Sequence, residues 1–325
     1  MKILIGAVLA VLFITGLVQW RATSREAAAA AAFPPVGQVV DVDGVKVHAQ
    51  VMGNGPDLVM IHGASGNLRD FTFDFAARIS DRYRVILFDR PGLGWTEVLP
   101  GNDGPFNASA APPAHQAHIL QQAADQLGVR DPIVLGHSYG GAVALAWGLS
   151  RPEETSALVL VAAVSKPWPG DLGWQYKVTG SALGSALAIP MISAFLPERF
   201  ILASVDSIFA PQPVPDGYVE HVGPDLTLRR FSMRANAQQV NSLRPHIVDM
   251  SAQYATLIMP VEVLHGTADT IVPLSVHSGP LMEHLPNGRL TTLPGLGHMP
   301  HHIEPEAVID AIDRAASRAG LRKSS

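Results

Sequence analysis

The chain has 325 residues and a mass of 34.5 kDa; 47% of residues are apolar and 16% charged, against about 25% charged in typical soluble domains, and mean hydropathy is +0.20. It contains no cysteine and carries a formal net charge of −5. These figures exclude a wholly disordered chain, a disulfide framework, a thiol nucleophile, a Cys-ligated metal and a basic footprint for nucleic acid.

Ile3 to Val18 is an apolar run broken only by Gly6, Thr15 and Gly16, with Lys2 before it and Trp20 and Arg21 after it. A core helix rarely starts at residue 3 without a polar face. The run reads as an uncleaved membrane anchor over residues 1–21, with Trp20 at the interface, or as a secretory signal peptide with Lys2 as its basic start. It is near the lower length limit for crossing a bilayer. Basic residues flank both ends, so charge does not fix its orientation. Residues 22–38, with the Ala27–Ala32 run and Pro34-Pro35, read as a linker.

From Val39 onward, strand and helix signals alternate. Val39–Asp41 and Val45–Val51 flank Asp43-Gly44, a hairpin turn signal. Leu58–Ile61, Arg84–Phe88, Ile133–Leu135, Ala157–Val164 and Val261–Leu264 are short runs, apolar on both faces, as strands of a mostly parallel sheet require. Helical patterns fall between them at Gln116–Leu127, Ala142–Leu149 and Pro305–Ala319. This alternation predicts an α/β fold, with a mostly parallel central sheet and helices on both faces. Residues 165–255 break the rhythm. Apolar stretches at Leu183–Leu196 and Phe200–Phe209 are interrupted by Pro190, Pro197, Pro211, Pro213 and Pro215, and read as a helical insertion between two core parts, 39–164 and 256–325.

Gly136-His137-Ser138-Tyr139-Gly140 follows an apolar strand and opens an apolar helix. A serine on so tight a turn is forced into strained backbone angles, and glycines two before and two after let the chain pass. The helix N-terminus then favours developing negative charge. Serine needs a base, and the base needs an orienting acid. His265-Gly266-Thr267-Ala268-Asp269 follows the Val261–Leu264 strand, and Gly295-Leu296-Gly297-His298 follows Leu290–Leu293. Asp269 and His298 thus sit beyond the C-terminal ends of strands, where ligands gather in open α/β sheets.

These segments, with His62-Gly63 and Asp89-Arg90-Pro91-Gly92-Leu93-Gly94, give the chain a resemblance to α/β-hydrolase-fold enzymes over Val39–Ala319. The resemblance includes the branch of epoxide hydrolases and haloalkane dehalogenases, but those enzymes need a carboxylate nucleophile where this chain has Ser138. It implies a catalytic triad of Ser138, Asp269 and His298, an oxyanion hole from the backbone amides of Ala64 and Tyr139, and a cap domain formed by 165–255. The implied reaction is hydrolysis of a carboxylic ester, lactone or thioester through an acyl-enzyme. A carbon–carbon bond hydrolase, an aminopeptidase and a non-catalytic binding protein share the scaffold. No cofactor or metal is implied, and the substrate is expected to be a small molecule with an apolar acyl part.

Other readings compete at each position. Ser138 has the sequence context of a helix N-cap, and Asp269 that of a turn cap. His298, His301 and His302 form a cluster of metal-ligand type, without a carboxylate at the spacing of a zinc-binding helix. His62, His137, Asp89 and Arg90 are expected to hold loops rather than touch substrate.

Overall fold

The computed structural model describes residues 1–322. The first helix, α1 (Lys2–Ala32), is followed by a hairpin of β1 (Gln38–Val42) and β2 (Val45–Met52). Val42 and Val45 are paired across Asp43 (φ 51°) and Gly44 (φ 84°), the two left-handed residues that a tight hairpin needs. The remaining strands are β3 (Asp57–Ile61), β4 (Arg84–Phe88), β5 (Ile133–His137), β6 (Ala157–Val161), β7 (Val261–Gly266) and β8 (Gly288–Leu293). They form one sheet in the order β1-β2-β4-β3-β5-β6-β7-β8, parallel from β4 to β8 and antiparallel at β1 and β2.

The two faces of the sheet are covered by different helices, which is why its central strands are apolar throughout. On one face, Val59, Ile61, Val134, Leu158, Leu160 and Val263 pack under α4 (Pro113–Gln126) and α5 (Tyr139–Ser150). On the other, Leu58, Met60, Leu87, Leu135, Val159 and Val161 pack under α2 (Arg69–Thr72), α3 (Phe75–Ile79) and the later helix 305–318. Every residue of α5 from Tyr139 to Gly148 is buried, consistent with its uniformly apolar sequence.

Between β6 and β7 lie only helices: α6 (Trp174–Gly180), α7 (Ala182–Phe195), α8 (Glu198–Phe209), α9 (Tyr218–Val222) and α10 (Arg230–Ser251). Pro190 does not interrupt this segment as its sequence implies; it lies inside α7, buried beside Ile189. Pro245 likewise lies within α10. After β7 come α11 (Ser278–Leu281), α12 (Pro300–Ile303) and α13 (Pro305–Arg318), the last burying Val308, Ile309, Ala311 and Ile312.

The N-terminal segment departs from expectation. The expected linker, residues 22–38, is helical as far as Ala32, because Ala27–Ala32 has the highest helix propensity of any run. The helix stops at Phe33 (φ −126°, ψ 64°), the residue before Pro34-Pro35, as proline disfavours helical geometry in its predecessor. At about 1.5 Å per residue, α1 is roughly 46 Å long, longer than a bilayer's hydrocarbon core. Its first half stands clear of the body with its leucines and isoleucines exposed. Its second half is docked: Val18 and Ala22 pack on Ala194, and Glu26 takes charged hydrogen bonds from Arg230 at 2.7 and 2.8 Å.

Candidate active site

Ser138 leaves β5 with φ 54° and ψ −119°, a left-handed conformation that costs a non-glycine residue energy and persists only when its surroundings dictate it. The flanking glycines are what make the turn passable. A Cβ on Gly136 would stand 2.3 Å from the Gly140 carbonyl oxygen, and one on Gly140 would stand 2.1 Å from that of Ile61. The N-cap reading of Ser138 fails, since its side chain makes no capping bond to α5.

Asp269 and His298 come together. His298 Nδ1 lies 2.7 Å from Asp269 Oδ2, and both side chains are buried. The turn-cap reading of Asp269 also holds: its other oxygen accepts from the Ile271 and Val272 amides, each at 2.9 Å. One carboxylate therefore fixes its own loop and the imidazole at once. His265, at the end of β7, adds a third side of support that no spacing marks in advance: Nε2 lies 3.2 Å from Asp269 Oδ2 and 2.6 Å from the Val272 carbonyl, while Nδ1 meets the Ser278 hydroxyl at 2.6 Å. Burial alone would raise the Asp269 pKa, but the bonds from His265 and His298 outweigh it and hold the carboxylate well below its usual range.

The His298 loop is held against the elbow. His137 Nε2 donates to the His298 carbonyl at 2.9 Å, and the two rings lie 4.9 Å apart. Gly63 lies against Ser138 from the other side; a Cβ there would meet the Ser138 Cβ at 3.1 Å. Among the described residues, neither the Ser138 hydroxyl nor His298 Nε2 has a hydrogen-bond partner, and the amides of Ala64 and Tyr139 are likewise without backbone acceptors.

The supporting residues behave as loop braces. His62 Nδ1 donates to the Gly63 carbonyl and its Nε2 accepts from the Arg90 amide, so the ring is neutral; burial and the neighbouring Arg90 charge push its pKa down to about 4. Asp89 accepts from the Leu68 and Trp95 amides and contacts His48 Nδ1 at 2.6 Å. Arg90 is fully buried and, among the described residues, has no carboxylate partner. It donates to the carbonyls of His62 and Gly63 and to Gln116 and Gln239, and stacks 4.1 Å over the Tyr139 ring.

The His298, His301 and His302 cluster divides. His301 and His302 turn away to Asp70, at 3.1 and 2.8 Å, and Tyr218 donates to the same carboxylate at 2.8 Å. These three histidines do not converge on one point. Asp70 with His301 and His302 does form a group of metal-ligand type, whose carboxylate comes from α2 and was not visible as a spacing in the sequence. The fit to a metal is poor. All three hydrogen bonds converge on the carboxylate as donors, and the buried His301 Nδ1 has no acceptor to orient the ring toward an ion.

The helical insertion touches three of the loops around Ser138. Asn236 of α10 accepts from the Ser65 amide at 2.7 Å, and Thr227 donates to the Ser65 carbonyl. Gln239 donates to the Pro91 carbonyl. Gln212 donates to the Gly295 carbonyl at 2.8 Å and accepts from the Gly297 amide at 2.9 Å, so the insertion grips the His298 loop. Asn236 and Gln239 lie in the largely polar α10, and Gln212 and Thr227 in connections outside it, where no periodicity marks such contacts.

Comparison with known proteins agrees with this architecture. Residues 58–311 match the family model described as the alpha/beta hydrolase family. The pimeloyl-[acyl-carrier protein] methyl ester esterase of Nitrosomonas europaea is 26% identical over 278 residues, covering 82% of this chain and 98% of that protein. A thermophilic esterase from Thermogutta terrifontis superposes with a TM-score of 0.69 at 20% identity, over 87% of this chain and 99% of that one. A bacterial membrane phospholipase A superposes with a TM-score of 0.62 at 20% identity over the full length of both chains. Likeness at such identity establishes the fold alone. The chain belongs to the alpha/beta hydrolase family and is a hydrolytic enzyme.

Proposed function

We propose that the chain hydrolyses a carboxylic ester, or a related lactone or thioester, by acyl transfer to Ser138. The observation that carries this reading is the strained Ser138 elbow set beside His298, whose Nδ1 is 2.7 Å from Asp269. Ser138 Oγ attacks the carbonyl carbon while His298 Nε2 takes its proton. Asp269 holds the ring in the tautomer with Nδ1 protonated and stabilises the imidazolium that forms. The amides of Ala64 and Tyr139 receive the oxyanion, each such donor being worth about 2.7–4 kcal/mol. The imidazolium protonates the leaving alcohol, and water, activated by the same histidine, releases the acid. The esterase relative from Nitrosomonas supports the ester class.

Residues 165–255 act in this reading as a cap over the site, since Gln212, Asn236 and Gln239 tie it to three of the loops around Ser138. Its apolar content fits a small-molecule substrate with an apolar acyl part. Residues 3–18 of α1 anchor the enzyme in a membrane; an 18-residue window of this helix has a mean hydropathy of 2.3 and is almost wholly exposed.

Two measurements test the chemistry. Ser138→Ala should lower hydrolysis of short p-nitrophenyl esters by about 10^4-fold or more without loss of the folded state. A fluorophosphonate should label the unaltered protein and not the variant. Retained turnover in the variant sinks the proposal, and an unlabelled native serine would instead indicate a binding protein on a hydrolase scaffold.

A further inference from the structure

Helix α7 is built inside out for a protein surrounded by water. Its buried side includes Ser185 and Ser193, and the Ser185 hydroxyl is held at 2.6 Å by Arg234. Its outer side carries Leu183, Leu187, Met191 and Phe195, one residue in four, with Leu183 70% and Leu187 69% exposed. Residues four apart share a helix face, so these side chains form one stripe. No charged residue occurs from Val178 to Pro197. Helix α6, which meets α7 at 105°, also exposes Trp174 and Val178, and α8 exposes Phe200 shortly after Pro197. Isolated exposed apolar residues are ordinary, but a contiguous patch of this kind marks a surface with an apolar partner.

The position of α1 says which partner. Val18 and Ala22 pack on Ala194 at the C-terminal end of α7. Arg21 donates to the Ala194 carbonyl at 2.8 Å with its guanidinium over the Phe195 ring, and Arg25 donates to the Leu196 carbonyl at 3.0 Å. The bare apolar half of α1 therefore leaves the protein body at the end of the α7 stripe. Arg21 and Arg199 hold their guanidinium groups over the Phe195 and Phe200 rings, an arrangement that suits phosphate headgroups beside an apolar contact.

We propose that the outer face of α6 and α7, centred on Leu183, Leu187 and Met191, lies in the surface of the same lipid bilayer that receives α1. The helical insertion is then held against the membrane by a second, interfacial contact. The proposal rests on the reading of residues 3–18 as a bilayer segment, and the test separates the two.

The chain has no cysteine, so single-cysteine variants of the full-length protein can be labelled without background. Leu187→Cys, Leu9→Cys and Glu154→Cys would each carry the fluorophore NBD and be reconstituted into phosphatidylcholine vesicles containing brominated lipid. Glu154 is exposed near the C-terminal end of α5, and so serves as the water-facing reference. The expected result is blue-shifted emission and quenching at positions 187 and 9, deeper at 9, and neither at 154. An unquenched label at 187 overturns the docking proposal, whether its emission is that of a water-exposed group or is blue-shifted by contact with a second copy. An unquenched label at 9 overturns the anchor reading, and quenching at 187 alone would show interfacial docking without a spanning helix. Met191→Cys should repeat the behaviour of Leu187→Cys, which guards against a local effect of one label.

Discussion

At the scale of single residues, the site is a set of groups whose protonation is fixed by burial. Asp269 is kept ionised by the donors around it, and His62, His301 and His277, whose Nδ1 accepts from the Ser165 and Lys166 amides at 3.3 Å, are kept neutral. Burial pushes each of these histidines down to about 4, helped by Arg90 beside His62, by His265 beside His277 and by His302 beside His301. His137 is depressed further, again first by burial. In the unfolded chain each takes up a proton near its ordinary value of about 6.5. Between about pH 6.5 and pH 4 the unfolded state thus binds more protons than the folded state, so stability is full above that window and falls as pH drops through it. A fully buried group such as His62 or His301 accounts for about 3 kcal/mol across the window. Thermal unfolding in non-ionic detergent should show Tm falling steeply from pH 7 to pH 4.5, with no comparable change from pH 7 to pH 8.5. A flat acid profile would mean that these histidines are charged in the folded protein. The sequence singled out Ser138, Asp269 and His298 because each follows a strand and carries glycine markers, and the structure brings Asp269 and His298 into contact. It did not reveal His265 or Asp70, whose roles depend on side chains arriving from other elements with no fixed spacing.

At the scale of elements, α10 shows where pattern reading stops. Its 22 residues are largely polar, and it buries Asn236, Gln238 and Gln239 along with Ala235 and Leu243. Hydrophobic periodicity finds helices that bury apolar faces; a helix that buries amides leaves no such trace. The amides are there because the loops beneath them need partners. Arg90 presents a buried guanidinium, depressed to about 10 by its burial, and Gln239 Oε1 accepts from it at 2.8 Å while Gln239 Nε2 donates to the Pro91 carbonyl at 2.8 Å. Gln239→Leu keeps most of the volume and removes both bonds. Leaving a buried charged donor short of an acceptor costs about 1–3 kcal/mol, so the variant should unfold at lower temperature, by several degrees. Gln239→Glu should recover much of the loss, because a carboxylate still accepts from Arg90. If Gln239→Leu melts with the unaltered protein, α10 is not braced through this residue. Pro190 teaches the opposite lesson: its position marked a break in the sequence, yet α7 runs through it with the ring packed in the interior.

At the scale of the whole molecule, the low charge has three physical sources: a sheet covered on both faces, an N-terminal helix bare along its first half, and an insertion whose outer surface is apolar. The sheet and its crossovers were legible because strands buried on both sides are apolar at nearly every position, with Glu262 of β7 an exception that is paired with Arg314 and Arg318. Where α1 ends was not, because an alanine run reads equally as a linker or as more helix until something packs against it. What packs against it supports the proposed anchor over a discarded leader. Glu26 is bound to Arg230, Arg21 and Arg25 bind the end of α7, and the Phe33 carbonyl accepts from the Trp95 indole at 3.0 Å. Cleavage within Ala27–Ala32, the one stretch with small residues suited to processing, would remove the first three partners and leave Arg230 half-buried without its carboxylate. A signal peptide is discarded and has no reason to be integrated into the body in this way. The protein recovered from the membrane fraction of expressing cells should therefore retain residues 1–32, and its intact mass should be that of the full chain. An N-terminus beginning at or after Ala27, with the activity in the soluble fraction, would show that the segment is a leader and that the contacts of α1 are transient.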